Sequence, residues 1–108
     1  MRYADVLLML AEAKTMQGKV AEAAPLVKRI RDRAKLATIT MTGWNQTQMM
    51  DEIMHQRNVE FAREGLHWYD LRRWGTLETV IQESQVGGYL NYTPKYNYFP
   101  IPESELNN

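Results

Sequence analysis

Arg57, Glu60 and Glu64 stand at i, i+3 and i+7 of a segment with helical periodicity, a spacing that places three charged side chains on one helix face. Two carboxylates there could in principle divide the work of general acid and general base. They could equally form half of an ion-pair clamp completed by Arg72 and Arg73. The arginines favour the clamp, because guanidinium groups beside both carboxylates hold them in the same charged state and leave no acid to donate a proton. Glu12 raises the same question. It lies in Ala11-Glu12-Ala13 beside an apolar face, where a carboxylate needs a partner, and Arg31 or Arg33 of the facing helix could supply one. Glu12, Arg31, Arg57, Glu60 and Arg72 are therefore the ion-pair candidates.

Other chemistries are thinly supplied. The chain has no cysteine, which removes thiolate zinc sites, disulfides and cysteine nucleophiles from these 108 residues. His55 and His67 are separated by an expected helix end and fall in no metal-spaced pair. Gly87-Gly88 lacks the Lys-Ser/Thr of a phosphate loop, and Ser84 and Ser104 lack the glycine frame of a nucleophile elbow. No catalytic residue, cofactor or metal is expected, and the segment reads as non-enzymatic. Lys28, Arg29, Arg31, Arg33 and Lys35 form a basic cluster. With 13 basic residues balanced by 13 acidic ones, a solvated helix face fits this cluster better than a nucleic-acid surface. Aromatic side chains offer binding instead. Trp44, Tyr89 and Tyr92 fall in expected loops, where a ring face can stack on the C–H face of a sugar. Trp44 serves equally well as the edge of a core. Trp68 and Trp74 share a helical face with Leu71 and read as core.

The elements that would position these residues are helical. At 108 residues the chain is one domain at most, or a piece of a larger one. The pattern predicts helices over about 3–17, 21–35, 47–64 and 67–83, and an irregular aromatic and proline-rich tail over 87–108. The first helix is apolar around most of its circumference, as expected for one buried on several sides. Gly18 stops it, and about three residues lead into the second, so the two form an antiparallel hairpin. Pro25 is tolerated if it falls near a first turn. Thr47 is a reasonable N-cap for the third helix and Gly65 a reasonable stop. The fold class is thus all-α, two antiparallel helical hairpins of tetratricopeptide-like type. The longest apolar run, Val6 to Ala11, is far short of the roughly 20 residues of a membrane span.

Five blocks in order resemble the C-terminal region of the SusD/RagB family. They are Arg2-Tyr3-Ala4-Asp5-Val6-Leu7-Leu8-Met9 with Ala11-Glu12-Ala13, then Ile30-Arg31-Asp32-Arg33-Ala34, then Gln56-Arg57-Asn58-Val59-Glu60-Phe61-Ala62. Glu64-Gly65-Leu66-His67-Trp68-Tyr69-Asp70-Leu71-Arg72-Arg73-Trp74-Gly75 and Tyr98-Phe99-Pro100-Ile101-Pro102-Glu103 complete the set. Gln56 departs from the family's usual glutamate and Lys28 from its usual asparagine. The resemblance implies an outer-membrane, surface-exposed lipoprotein that captures glycans such as starch, or other nutrients, for a TonB-dependent transporter and does no catalysis. It also implies that these residues are the C-terminal part of a longer protein that begins with a signal peptide and a lipidated cysteine. Cut from preceding helices, the first helix would expose Val6, Leu8 and Met9, and the segment would self-associate or be partly disordered near its N-terminus. The alternative reading is a helical adaptor that binds a protein partner in a groove between hairpins.

Overall fold

The computed structural model describes residues 1–84, 93–98 and 100–106. The helices are α1 (Tyr3–Met16), α2 (Val20–Arg33), α3 (Gln46–Glu60), α4 (Leu66–Trp74), α5 (Leu77–Glu83) and, after a 3-10 turn at Pro94–Asn97, the single turn α6 (Glu103–Leu106). No strand occurs among the described residues, so the all-α class stands. The chain packs as two compact units, Met1–Glu64 and Gly65–Asn108.

In the first unit, α1 and α2 are antiparallel. The start of α1 meets the end of α2 where Arg29 bonds the Tyr3 hydroxyl, and the end of α1 meets the start of α2 through Lys14 and Glu22. The turn between them is closed by Gly18, at φ +76°, with paired bonds from Gly18 N–H to the Thr15 carbonyl and from Lys19 N–H to the Lys14 carbonyl. A left-handed φ of this kind is open to glycine at little cost. Residues 34–45 then run back along the length of the pair. Gln46 lies beside Met16, and Glu60 beside Arg2 and Arg33. Helix α3 is therefore antiparallel to α1 and parallel to α2. The alternation expected of a tetratricopeptide-like array holds for α1 and α2, and the crossover then interrupts it.

The core lies among the three helices and the crossover: Ala11, Ala23, Val27, Met41, Met49 and Ile53 are buried together, with Val20, Ala24, Leu26, Ile39, Trp44 and Met50 packed against them. Burial of a Val, Ile or Met side chain contributes about 1.5–3 kcal/mol, so this cluster, together with buried Leu7, Leu8, Ile30 and Phe61, drives the folding of the unit. Small residues at Ala11 and Ala23 let α1 and α2 approach closely. Leu8 is fully buried, contrary to the expected exposure, whereas Val6 and Met9 are exposed as anticipated. A helix apolar on most sides cannot reveal from sequence which side meets the neighbours.

Local chemistry shifts two boundaries. Helix α3 begins one turn position early because Asn45, not Thr47, is its N-cap. The Asn45 side chain accepts from Gln48 N–H while the Gln48 side chain accepts from Asn45 N–H, a reciprocal capping box. Its far end comes at Glu60 rather than 64, because Phe61 leaves the helical conformation and buries its ring, and Arg63 turns left-handed at φ 69°. Pro25 lies inside α2 rather than in its first turn.

In the second unit, the helix expected over 67–83 is two helices. Gly75 adopts φ +71° and its N–H bonds the Arg72 carbonyl, while Thr76 N–H bonds that of Leu71, ending α4 as Gly18 ends α1. The buried side of α4 is Asp70 and Leu71; Trp68 is exposed and Trp74 half-buried, so the core role expected of Trp68 is not what the structure shows. Tyr89 and Tyr92 lie outside the described residues.

Candidate functional site

Two groups of side chains stand out in the first unit. The first is a charge lattice that ties α1 and α2 to the end of α3. Arg57 donates to Asp5 at 2.9 Å, with both side chains buried. Glu60 accepts from Arg2 at 2.8 Å and from Arg33 at 2.5 Å, and Glu64 accepts from Arg2 at 2.6 Å. The Arg2 guanidinium is held above its ordinary range first by its hydrogen bond to Glu64, opposed by desolvation, with Glu60 adding to the rise. Both Arg2 and Arg57 also lie over the Phe61 ring, each 5.1 Å from its centroid. Phe61 thus lies against two cations that are held by different carboxylates, Arg2 by Glu60 and Glu64 and Arg57 by Asp5.

This lattice places the predicted ion-pair residues. Arg57 and Glu60 both belong to it, yet their recorded partners here are Asp5, Arg2 and Arg33, residues at least 27 positions away in sequence. Arg31 donates to Glu52 of α3 at 2.7 Å. Glu12 is half-buried on α1. Arg72 is half-buried on α4 and, with Tyr69, Arg73 and Tyr98, lines a shallow depression of about 420 Å³ within the second unit. Sequence reasoning missed Arg2, Asp5 and Glu52. Asp5 carried a usable signal: an aspartate between Ala4 and Val6 on an otherwise apolar helix needs a cation.

The second group is a groove of about 550 Å³ between α2 and the crossover. Trp44, Ile39, Met41 and Pro25 give it apolar walls, and Thr40, Thr42 and Lys28 supply polar groups. Pro25 has no N–H, so the Ala21 carbonyl loses its i+4 donor, and Ala21 also lines the groove. Trp44 is half-buried on the edge of the core, as one of its two readings expects, and it also lines this groove. A mostly apolar concavity with a few fixed polar groups is the usual composition of a small-ligand site.

The family model described as the SusD family matches residues 1–108. This chain belongs to the SusD family. It is 32% identical to SusD-like protein P2 of Formosa agariphila, over 98% of this chain and 23% of that protein. To SusD-like protein P25 of the same organism it is 36% identical, over 97% of this chain and 21% of that protein. Among solved structures, it superimposes on a SusD superfamily protein from Bacteroides vulgatus with a TM-score of 0.90 at 41% identity, over 99% of this chain and 24% of that one. The chain therefore spans less than a quarter of the length of these SusD relatives. No helix among the described residues of this SusD-family segment is long and apolar enough to cross a membrane.

Proposed function

We propose that this SusD-family segment forms part of a surface-exposed outer-membrane lipoprotein that captures a glycan or related nutrient and hands it to a TonB-dependent transporter, without catalysing its turnover. The observation that carries this reading is the family match over the whole chain, joined to a 0.90 TM-score at 41% identity to a SusD superfamily structure. The Trp44 groove supports it chemically. A ring beside Ile39 and Met41 suits the C–H face of a sugar, while the Thr40 and Thr42 side chains and the Ala21 carbonyl can meet its hydroxyls. Tyr89 and Tyr92 join Trp44 as proposed ligand contacts.

Calorimetric titration against a panel of neutral oligosaccharides tests this. The protein should bind at least one of them, and Trp44→Ala should weaken that binding roughly tenfold, the loss of about 1.4 kcal/mol that one aromatic platform supplies. A panel with no binder, or unchanged affinity in Trp44→Ala, would remove the groove from the ligand site.

A further inference from the structure

Within α2 itself the basic side chains are Lys28, Arg29, Arg31 and Arg33, and they resolve residue by residue with one left over. Lys28 pairs with Asp32 at 2.5 Å, Arg31 with Glu52 at 2.7 Å and Arg33 with Glu60 at 2.5 Å. Arg29 meets no carboxylate among the described residues. Its guanidinium lies 5.2 Å from the Tyr3 ring centroid and donates to the Tyr3 hydroxyl at 3.1 Å. Arg29 and Arg33 sit one helical turn apart, a like-charge spacing that a helix disfavours unless an anion offsets it.

Both arginines open onto a second groove, about 450 Å³, whose lining is Arg2, Tyr3, Ala4, Leu7, Arg29, Ile30 and Arg33. Arg2 and Arg33 are engaged by Glu60 and Glu64, so three guanidinium groups face two carboxylates and one positive charge is uncompensated. The Tyr3 hydroxyl accepts from Arg29, which leaves its own proton to donate elsewhere. Ala4, Leu7 and Ile30, nearly buried, line its floor.

We propose that this groove is an anion site that takes a carboxylate-bearing ligand, the carboxylate bridging Arg29 and the Tyr3 hydroxyl while the ligand's carbon skeleton lies against Leu7 and Ile30. A planar guanidinium fork matches a carboxylate in two-point geometry, which an ammonium does not. The carboxylate can belong to an acidic sugar or to a small free acid. The inference stands apart from the Trp44 groove and does not need neutral glycan capture to be correct.

Titration at low ionic strength with D-glucuronate, D-glucose and acetate, followed by amide chemical shifts, decides it. Glucuronate should shift amides of residues 2–4 and 29–33 and bind at least tenfold tighter than glucose. Acetate that matches glucuronate would support the anion site and assign it to a free acid; acetate that binds much more weakly would support it and assign an acidic sugar. Arg29→Gln should abolish the preference, Arg29→Lys should retain part of it, and Tyr3→Phe, which keeps the ring, should weaken glucuronate severalfold. The two sites are read separately in the parent protein, by amide shifts at residues 2–4 and 29–33 for this groove and at residues 39–44 for the Trp44 groove, so failure here is distinguishable from failure there. Glucuronate no tighter than glucose, or full preference retained in Arg29→Gln, would overturn the proposal. Arg29 is exposed, so the variants leave the core untouched.

Discussion

Arg57 of α3 and Asp5 of α1 meet at 2.9 Å across 52 residues of sequence, with both side chains buried. A buried ion pair contributes modest net stability when whole, because desolvation offsets attraction, but loss of one partner is costly. Asp5→Ala should lower unfolding stability by about 3–5 kcal/mol. Asp5→Ala combined with Arg57→Met should cost clearly less than the two single changes summed, with a coupling of about 0.5–3 kcal/mol. Urea unfolding of the four proteins measures this; strictly additive losses would show that the pair does not fasten α1 to α3.

Lys35 is a stabilisation site. It closes α2 in the left-handed region, at φ 54°, with Lys35 N–H bonded to the Asp32 carbonyl and Leu36 N–H to that of Arg31. This is the arrangement that Gly18 makes at the end of α1, but a side chain here carries about 1–2 kcal/mol of strain. Lys35→Gly should raise stability by about 1 kcal/mol, after part of the gain is returned to the more flexible unfolded chain. A lower midpoint in thermal unfolding would contradict the left-handed assignment.

Glu22 gives a pH signature. Its hydrogen bond to Lys14, 2.6 Å long, followed by the charge of Lys14, holds its carboxyl below the ordinary value of 4.5. A depressed carboxyl stabilises the fold above the unfolded-state value, and that contribution is lost as pH falls through the folded one. The melting temperatures of the parent protein and Glu22→Gln should therefore differ at pH 7 and converge as pH falls below the ordinary carboxylate range. Since the pair is exposed, the gap at pH 7 should also shrink in high salt. A gap that does not narrow as pH falls would point to another cause.

On α1, Tyr3, Val6, Met9 and Leu10 are exposed at 61%, 42%, 40% and 44%, with Tyr3, Val6 and Leu10 at helical spacing. We expect the 108-residue chain to self-associate through this stripe at tens of micromolar, and Val6→Glu with Leu10→Lys to return it to a monomer. Light scattering showing a monomer for the unaltered chain would rule this out.

The sequence by itself determined the helical class, the hairpin of α1 and α2 with Gly18 at its turn, and the family, because these rest on local periodicity, a glycine where φ is positive, and ordered blocks of residue types. It also flagged Arg57, Glu60 and Arg31 as charges in need of partners. Only the tertiary structure decided who those partners are. Asp5, Arg2 and Glu52 lie between 21 and 58 residues away, and no local rule reaches across the crossover. The same holds for Leu8, whose burial depends on how an almost uniformly apolar helix is rotated, and for Trp44, which became both core and groove wall once residues 34–45 ran back beside α2. Gly75 marks the limit between the two: a glycine inside a helical pattern is tolerated or breaks the helix, and the choice fell to the paired bonds from Gly75 and Thr76 back to Arg72 and Leu71.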